Sequence, residues 1–302
     1  MAGTGKGISS FRLNWKGILL FLLPILTLYG MFFIYPLIYV FFISFTQWNG
    51  VGVPEFLGLQ NYVRNFQSQS FQLSLRNNFI WAFSLGFVQI FLAATVAMIL
   101  ARKPRAWRVL RTVYFLPNVI SKVAIAMLWL ALYNAEFGAI NAFLEAIGLE
   151  EWTNNWLGQV ETALPAVILQ ELLYIGYFMI IILAGTMSVP ESFYESAEID
   201  GANVWQQERF ITIPMIRGVL VTAMTLAIAF GLRHFEATFL MTRGGPANTT
   251  SVMALLLYRK LSGLEYGVAN SIGATLIAVG AVIIVLVRRF IGRRDPVAES
   301  MQ

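Results

Sequence analysis

A chain of 302 residues that is 58% hydrophobic and only 12% charged, with 24 Phe, 11 Tyr and 8 Trp, is not composed like a soluble domain, where roughly a quarter of the residues carry charge. Its mean hydropathy of +0.68 and formal charge of +5 point to a bilayer as its solvent, with a basic excess. With no cysteine, a disulfide scaffold, a thiolate metal site and a cysteine nucleophile are excluded, and the one histidine, His234, leaves little for zinc chemistry.

Crossing a hydrocarbon core of about 30 Å takes roughly 20 helical residues. Six windows qualify: 17–40, 79–100, 113–132, 163–185, 218–239 and 267–287. Lipid offers a backbone amide no partner and no barrel-like alternation is present, so each window is expected to be a helix. The expected fold class is an all-α membrane protein with six transmembrane helices, one membrane domain over 17–290 between short ends at 1–16 and 291–302. The first window follows Lys6, Arg12 and Lys16 but runs on without a small-residue cleavage site, which marks a retained span rather than a signal peptide. Pro24 and Pro36 predict a kink in it. Small residues four apart, Ala93, Ala97 and Ala101, then Ala269 and Gly273, predict close helix packing. The stretch 249–266 has a short apolar centre before Arg259 and Lys260, so an interfacial or re-entrant helix is expected there.

Fourteen of the 21 basic residues fall on one side of these spans: Lys6, Arg12 and Lys16, then Arg102, Lys103, Arg105, Arg108 and Arg111, then Arg209 and Arg217, then Arg288, Arg289, Arg293 and Arg294. The connection 133–161 has none and carries Glu136, Glu145, Glu150, Glu151 and Glu161. Both termini are therefore expected in the cytoplasm. This asymmetry and the lipid bilayer account for the positive charge, leaving no support for nucleic acid as a partner.

The cytoplasmic connection 186–215 is long for a link between spans and has its own helical grammar. Ser188 and Glu191 have capping-box spacing, Pro190 falls in the first turn, and Gly201 can close the helix in a left-handed conformation. A second short helix is expected through 205–210, with Pro214 at the entry to the fifth span. Tyr194, Ala197 and Ile199 would leave apolar surface in the cytosol, which predicts a docking helix.

Glu195-Ser196-Ala197, three residues, Gly201, nine residues and Ile211-Thr212-Ile213-Pro214 resembles the EAA loop of importer permeases of the ATP-binding cassette (ABC) class, with Ser196 and Ile213 as conservative departures. Asp200-Gly201-Ala202 is similar to the fuller form of that motif. The resemblance implies that Glu195, Ser196, Ala197, Asp200, Gly201, Ala202, Ile211 and Pro214 form the coupling loop between helices 4 and 5 that seats in an ATPase subunit. Phe56–Tyr62 in the first external loop, the Phe115-Leu116-Pro117-Asn118 run and Thr242-Arg243-Gly244-Gly245-Pro246 with Thr249 and Thr250 resemble the sugar-importer permeases related to the maltose and glycerol-phosphate permeases. This implies a second permease subunit, an ATPase dimer that uses ATP and magnesium, an extracytoplasmic solute-binding protein, a sugar cargo, and a bacterial or archaeal inner membrane. The loop 133–161 and the turn 244–246 are expected contacts for the binding protein.

No nucleotide site is expected in the chain itself: the 3–7 run Gly-Thr-Gly-Lys-Gly lacks the spacer and the Ser or Thr of a phosphate loop. Nor is there a metalloprotease helix or nucleophile elbow, so a non-catalytic transport subunit with no bound cofactor is expected. Ionisable residues inside spans mark the candidate pathway: Lys122, Glu171, Arg233 and Glu236, to which Tyr174 and Asn270 are added. Lys122 and Glu171 either pair across the third and fourth spans or hydrogen-bond a sugar. Arg233 and Glu236 either pair on one helix or line the path. Trp129, Tyr133, Tyr174 and Tyr177 offer either sugar-stacking faces or ordinary packing, and His234 reads as a hydrogen-bonded structural residue. The alternatives are a glycerol phosphate or polyol cargo, or an ion-coupled secondary transporter.

Overall fold

The computed structural model describes residues 15–291, and within them the chain is helical apart from one two-stranded ribbon. Lys6, Arg12, Arg293, Arg294 and the 3–7 run lie outside the described residues. The first span is α1 (Trp15–Tyr29), a π-helical turn and α2 (Tyr35–Ser44), long and apolar enough to cross a membrane as Gly17–Ser44. The π turn begins one residue after Tyr29, between Pro24 and Pro36, where missing amide hydrogens loosen the helical ladder. Strands β1 (Thr46–Gln47) and β2 (Glu55–Phe56) pair antiparallel, Thr46 opposite Phe56, and α3 (Gln60–Gln67) follows.

The second span is longer than its apolar window. It comprises α4 (Gln69–Phe83), a π turn over 84–89 and α5 (Ile90–Ala101), because its first three turns bury Ser74, Asn77 and Asn78 against protein rather than lipid. The small face of α5 packs on α10 (Gly176–Met187), with Ala93 and Ala97 fully buried as their spacing predicts. A continuous third helix is not what forms. Instead α6 (Trp107–Phe115) runs into a 3-10 turn, Ile120 and Ser121 are extended, and α7 (Lys122–Leu132) leaves at 99°. Pro117 in that turn is the local cause.

The external connection folds as α8 (Ala139–Ala146) and a 3-10 turn tied by Asn141, whose Oδ1 accepts from the Trp156 indole at 2.7 Å. The fourth span is α9 (Ala163–Leu172) and α10, bent 40° at Leu173–Ile175. Next come α11 (Glu191–Ile199), α12 (Val204–Gln207), a π turn and α13 (Ile213–Met215), which meet α14 (Arg217–Leu232) at 72°. The break is at Ile216, so Pro214 stands two residues before the kink. The fifth window does not continue to 239 as one helix: it breaks after Leu232 and resumes as a π turn over 238–242.

The short apolar centre in 249–266 becomes α15 (Met253–Ser262), which packs on α4 and α16 (Tyr266–Ile291), burying Met253, Leu255 and Leu256. Protein therefore covers its apolar face, and at 10 residues the helix is too short to span, as the sequence predicts. The main core joins α4, α5, α9, α10 and α14 around Trp81, Val167, Met179 and Ile182. There α4 and α14 approach so closely that a Cβ on Gly231 would sit 2.8 Å from the Trp81 carbonyl.

Candidate functional site

The breaks between α6 and α7, between α9 and α10, and after Leu232 at the end of α14 face one cavity of about 570 Å³, whereas the 72° bend at Ile216 lies at the other end of α14. Backbone groups freed at a break inside a bilayer must find protein partners or line a polar space, and both occur. Gln89 Nε2 donates to the carbonyls of Glu171 at 2.8 Å and Tyr174 at 3.4 Å, closing the end of α9. Asn78 Nδ2 donates to the carbonyl of Leu232, closing the end of α14. Such discontinuous helices place polar termini and side chains at membrane depth.

Five of the six candidate pathway residues line this cavity: Lys122, Glu171, Tyr174, Arg233 and Glu236. Lys122 Nζ and Glu171 Oε1 form an ion pair at 2.5 Å between the start of α7 and the end of α9. The ammonium also lies 5.6 Å from the Tyr174 ring centroid, and the Tyr174 hydroxyl accepts from the Trp129 indole at 2.7 Å. Arg233 and Glu236 do not pair. The guanidinium lies over the Phe230 ring at 4.7 Å, leaving both charges exposed toward the cavity. Asn270 is not part of this group; its amide donates to the Tyr266 carbonyl on its own helix.

Other lining residues carry no charge: Tyr177, one of the aromatics the sequence offered, Asn118 at the end of the 115–118 run, and Gln170 and Phe230, which gave no signal in the sequence. Gln170 is buried with Oε1 unpartnered. His234 is also buried and stacks on Trp81, ring centroids 3.7 Å apart, but its Nε2 has no hydrogen bond, in contrast to the hydrogen-bonded histidine expected. Orphaned buried acceptors and donors are uncommon and costly in folded proteins, and two of them, Gln170 Oε1 and His234 Nε2, belong to residues of this one cavity wall. Tyr133 is set apart: it donates to the Ala166 carbonyl at 3.0 Å, and burial pushes its hydroxyl up to about 12, keeping it a donor.

In the 186–215 connection α11 ends as a Schellman motif. Gly201 adopts φ +78, its amide donates to the Glu198 carbonyl at 3.0 Å, and that of Ala202 donates to Ala197 at 2.8 Å. Glu195 and Ser196 are exposed on this helix, Ala197 is half-buried and Asp200 and Ala202 lie at its end. Ile211 lies in the following π turn. The capping box is not at Ser188, whose hydroxyl donates back to the Gly185 carbonyl; Pro190 is the N-cap. The box forms instead at Asn203 and Gln206, which opens α12. Ile199 is 87% exposed and Trp205 68%, while Tyr194 turns inward, its hydroxyl 2.9 Å from Thr212 Oγ1. Arg102 ties this segment to the end of α5 through Glu208 at 2.8 Å and Gln207 at 3.1 Å.

Residues 89–296 match the family model of the binding-protein-dependent transport system inner membrane component. The chain is 34% identical over 275 residues to a probable ABC transporter permease of Pyrococcus horikoshii, covering 89% of this chain and 93% of that one. It is 30% identical over 282 residues to the trehalose/maltose transport system permease MalF of Thermococcus litoralis, covering 91% and 94%. Among solved structures, a chain of a bacterial alginate ABC transporter in complex with an alginate pentasaccharide-bound periplasmic protein is similar with a TM-score of 0.81 and 25% identity, covering 94% and 98%. Helices apolar enough to span, broken where they meet a polar cavity, and these matches along most of the sequence lead to one conclusion: the chain belongs to the binding-protein-dependent transport system inner membrane component family, the permeases of ABC importers.

Proposed function

We propose that this chain is the membrane-spanning permease subunit of an ATP-driven importer for a sugar or sugar-like solute. It crosses the cytoplasmic membrane six times, three spans continuous and three broken, with both termini inside, and forms half of the translocation pathway. The observation that carries the reading is the convergence of three span breaks on one cavity lined by Lys122, Glu171, Gln170, His234, Tyr174 and Tyr177. Amides, ionisable groups and aromatic faces together suit a ring with hydroxyls on its edge and an apolar face. Arg233, charged and free of an ion pair over Phe230, keeps glycerol phosphate as the alternative cargo.

The chemistry lies on another chain. ATP and magnesium are used by a separate ATPase dimer, into which α11 and the exposed Ile199 and Trp205 dock. Closure of that dimer moves the coupling loop against α5 and α14 and reshapes the cavity. A second permease subunit supplies the other half of the path, and an extracytoplasmic binding protein delivers the solute, as the similar alginate transporter binds its periplasmic protein. The test is to isolate the tagged chain from gently solubilised membranes and assay vesicles for uptake. Recovery of an ATPase and a second permease with ATP-dependent sugar uptake supports the reading. Recovery of the chain alone with ion-driven uptake replaces it by the secondary-transporter alternative.

A further inference from the structure

On α4, Ser74, Asn77, Asn78 and Trp81 are all buried, and their spacing of three and four places them on one face. Ser74 and Asn77 reach the 249–251 segment, Asn78 joins the end of α14 to the start of α15, and Trp81 meets the cavity wall. Ser74 donates to Ser251 Oγ at 3.0 Å. Asn77 Nδ2 donates to the carbonyls of Thr249 at 2.7 Å and Ser251 at 2.8 Å. Asn78 Nδ2 donates to the Leu232 carbonyl, and its Oδ1 accepts from the Met253 amide at 2.7 Å. Trp81 stacks on His234. Leu232 is the last residue of α14 and Met253 the first of α15, so Asn78 satisfies two backbone groups of the kind that helix ends leave open.

Of the three polar residues, Asn78 alone touches both the cavity wall and the external segment. That segment is itself braced: Thr250 Oγ1 lies 2.6 Å from Thr242 Oγ1 and donates to the Gly245 carbonyl at 3.0 Å. Arg259 donates to the Arg243 carbonyl and, at 2.8 Å, to Asn248 Oδ1. A braced turn, joined to the cavity wall covalently through 236–242 on one side and through Asn78 on the other, is triangulated.

We infer that Asn78 is a positioning residue that makes the external turn 243–252 and the cavity wall at 232–236 move together, so that a displacement applied to the turn from outside the membrane reaches Arg233, His234 and Glu236. Its use during transport rests on the pathway reading above; the mechanical link does not. Removal of the Asn78 amide leaves the covalent path alone and frees the Leu232 carbonyl, so the wall no longer follows the turn.

Because the chain has no cysteine, Glu236→Cys gives a single thiol reporter in the cavity wall. The full-length tagged chain is kept in membrane vesicles from the expressing cells and treated with a small polar maleimide, and the labelling rate is read on the purified chain. Gly244→Val supplies the external displacement: Gly244 has φ +83, and a Cβ there would meet Arg259 Nη2 at 2.8 Å and Leu255 Cδ2 at 2.9 Å. With Asn78 in place, Gly244→Val is expected to change the rate at 236 by about threefold or more, and with Asn78→Leu by less than about 1.5-fold, the non-additivity expected of coupled sites. Asn78→Asp keeps an acceptor for the Met253 amide but turns an oxygen toward the Leu232 carbonyl, so it uncouples the sites in the same way and serves if the leucine variant does not insert. A control thiol at the exposed Val63→Cys should not respond, whereas general loosening of the fold would move both reporters. No effect of Gly244→Val with native Asn78, or the same effect in both backgrounds, overturns the inference. Uptake is read separately in vesicles of the chain that keeps Glu236 and Gly244, so failure of the importer reading remains distinguishable from failure of the link.

Discussion

Lys122 and Glu171 each stand at the wrong end of a helix. A cation at the first position of α7 faces the positive end of its dipole, and a carboxylate one residue from the end of α9 faces the negative end. Their ion pair offsets both penalties at once, but unequally, because the Glu171 side chain is 14% exposed and that of Lys122 52%. Lys122→Met strands a largely buried carboxylate and should cost about 2–3 kcal/mol, whereas Glu171→Gln leaves a lysine able to reach water and should cost about 1 kcal/mol. Lys122→Met with Glu171→Gln should recover most of the larger loss, and thermal unfolding of the detergent-solubilised chain measures all three; equal single losses that simply add would contradict this account. These residues are legible in the sequence because a charge within an apolar run has few innocuous explanations. Amides are different. Asn270, added to those candidates without a charge of its own, satisfies itself on its own helix, while Gln89 and Asn78, which cap the breaks, look in the sequence like any polar residue near a span.

Among the elements, the 186–215 connection was the more legible because its backbone demands are local. Gly201 at φ +78 has nothing within 4 Å of where a Cβ would stand, so Gly201→Val meets no steric neighbour and its cost is conformational alone, about 1–2 kcal/mol. Insertion should survive while α11 frays at its end; the expected outcome is normal abundance in the membrane with ATP-driven uptake and recovered ATPase both reduced, and unchanged uptake would remove α11 from the role of lever. Arg102→Ala should act on the same element from the other side. It unpairs Glu208, whose Oε2 is already buried without a partner, so α12 loses its tie to α5, and release of the 204–212 segment should appear as faster backbone hydrogen exchange there, with exchange in α10 unaltered. The breaks inside spans were not legible, since window hydropathy registers composition and not continuity. Residues 113–132 are as apolar as an unbroken helix requires, and what interrupts them is a turn at Pro117 followed by two extended residues, selected by the cavity on the far side.

At the scale of the whole molecule the first span stands apart: none of the most apolar stretch of Gly17–Ser44 is buried, and Phe21, Phe32 and Tyr35 are 85%, 70% and 66% exposed. Lipid imposes no hydrophobic cost on such a helix, so exposure alone does not call for a partner. The span is nevertheless rich in large aromatics, Tyr29 and Phe33 stacked at 5.0 Å and Tyr35 and Tyr39 at 6.3 Å, on a rod whose main packing on the rest of the described chain is α2 against α16. Half a pathway also leaves Arg233 and Glu236 facing a side of the molecule that this chain does not close. If a second permease closes it, the free aromatic rod is the surface available for a helix of that subunit. A photoactivatable maleimide on Phe32→Cys, in a chain otherwise free of thiols, should then yield an adduct larger by the mass of another multi-span protein, and the same probe on Val63→Cys outside the membrane should not. Adducts with lipid alone at position 32, in membranes where ATP-driven uptake is intact, would place the partner against a different face and leave the first span as a lipid-facing anchor.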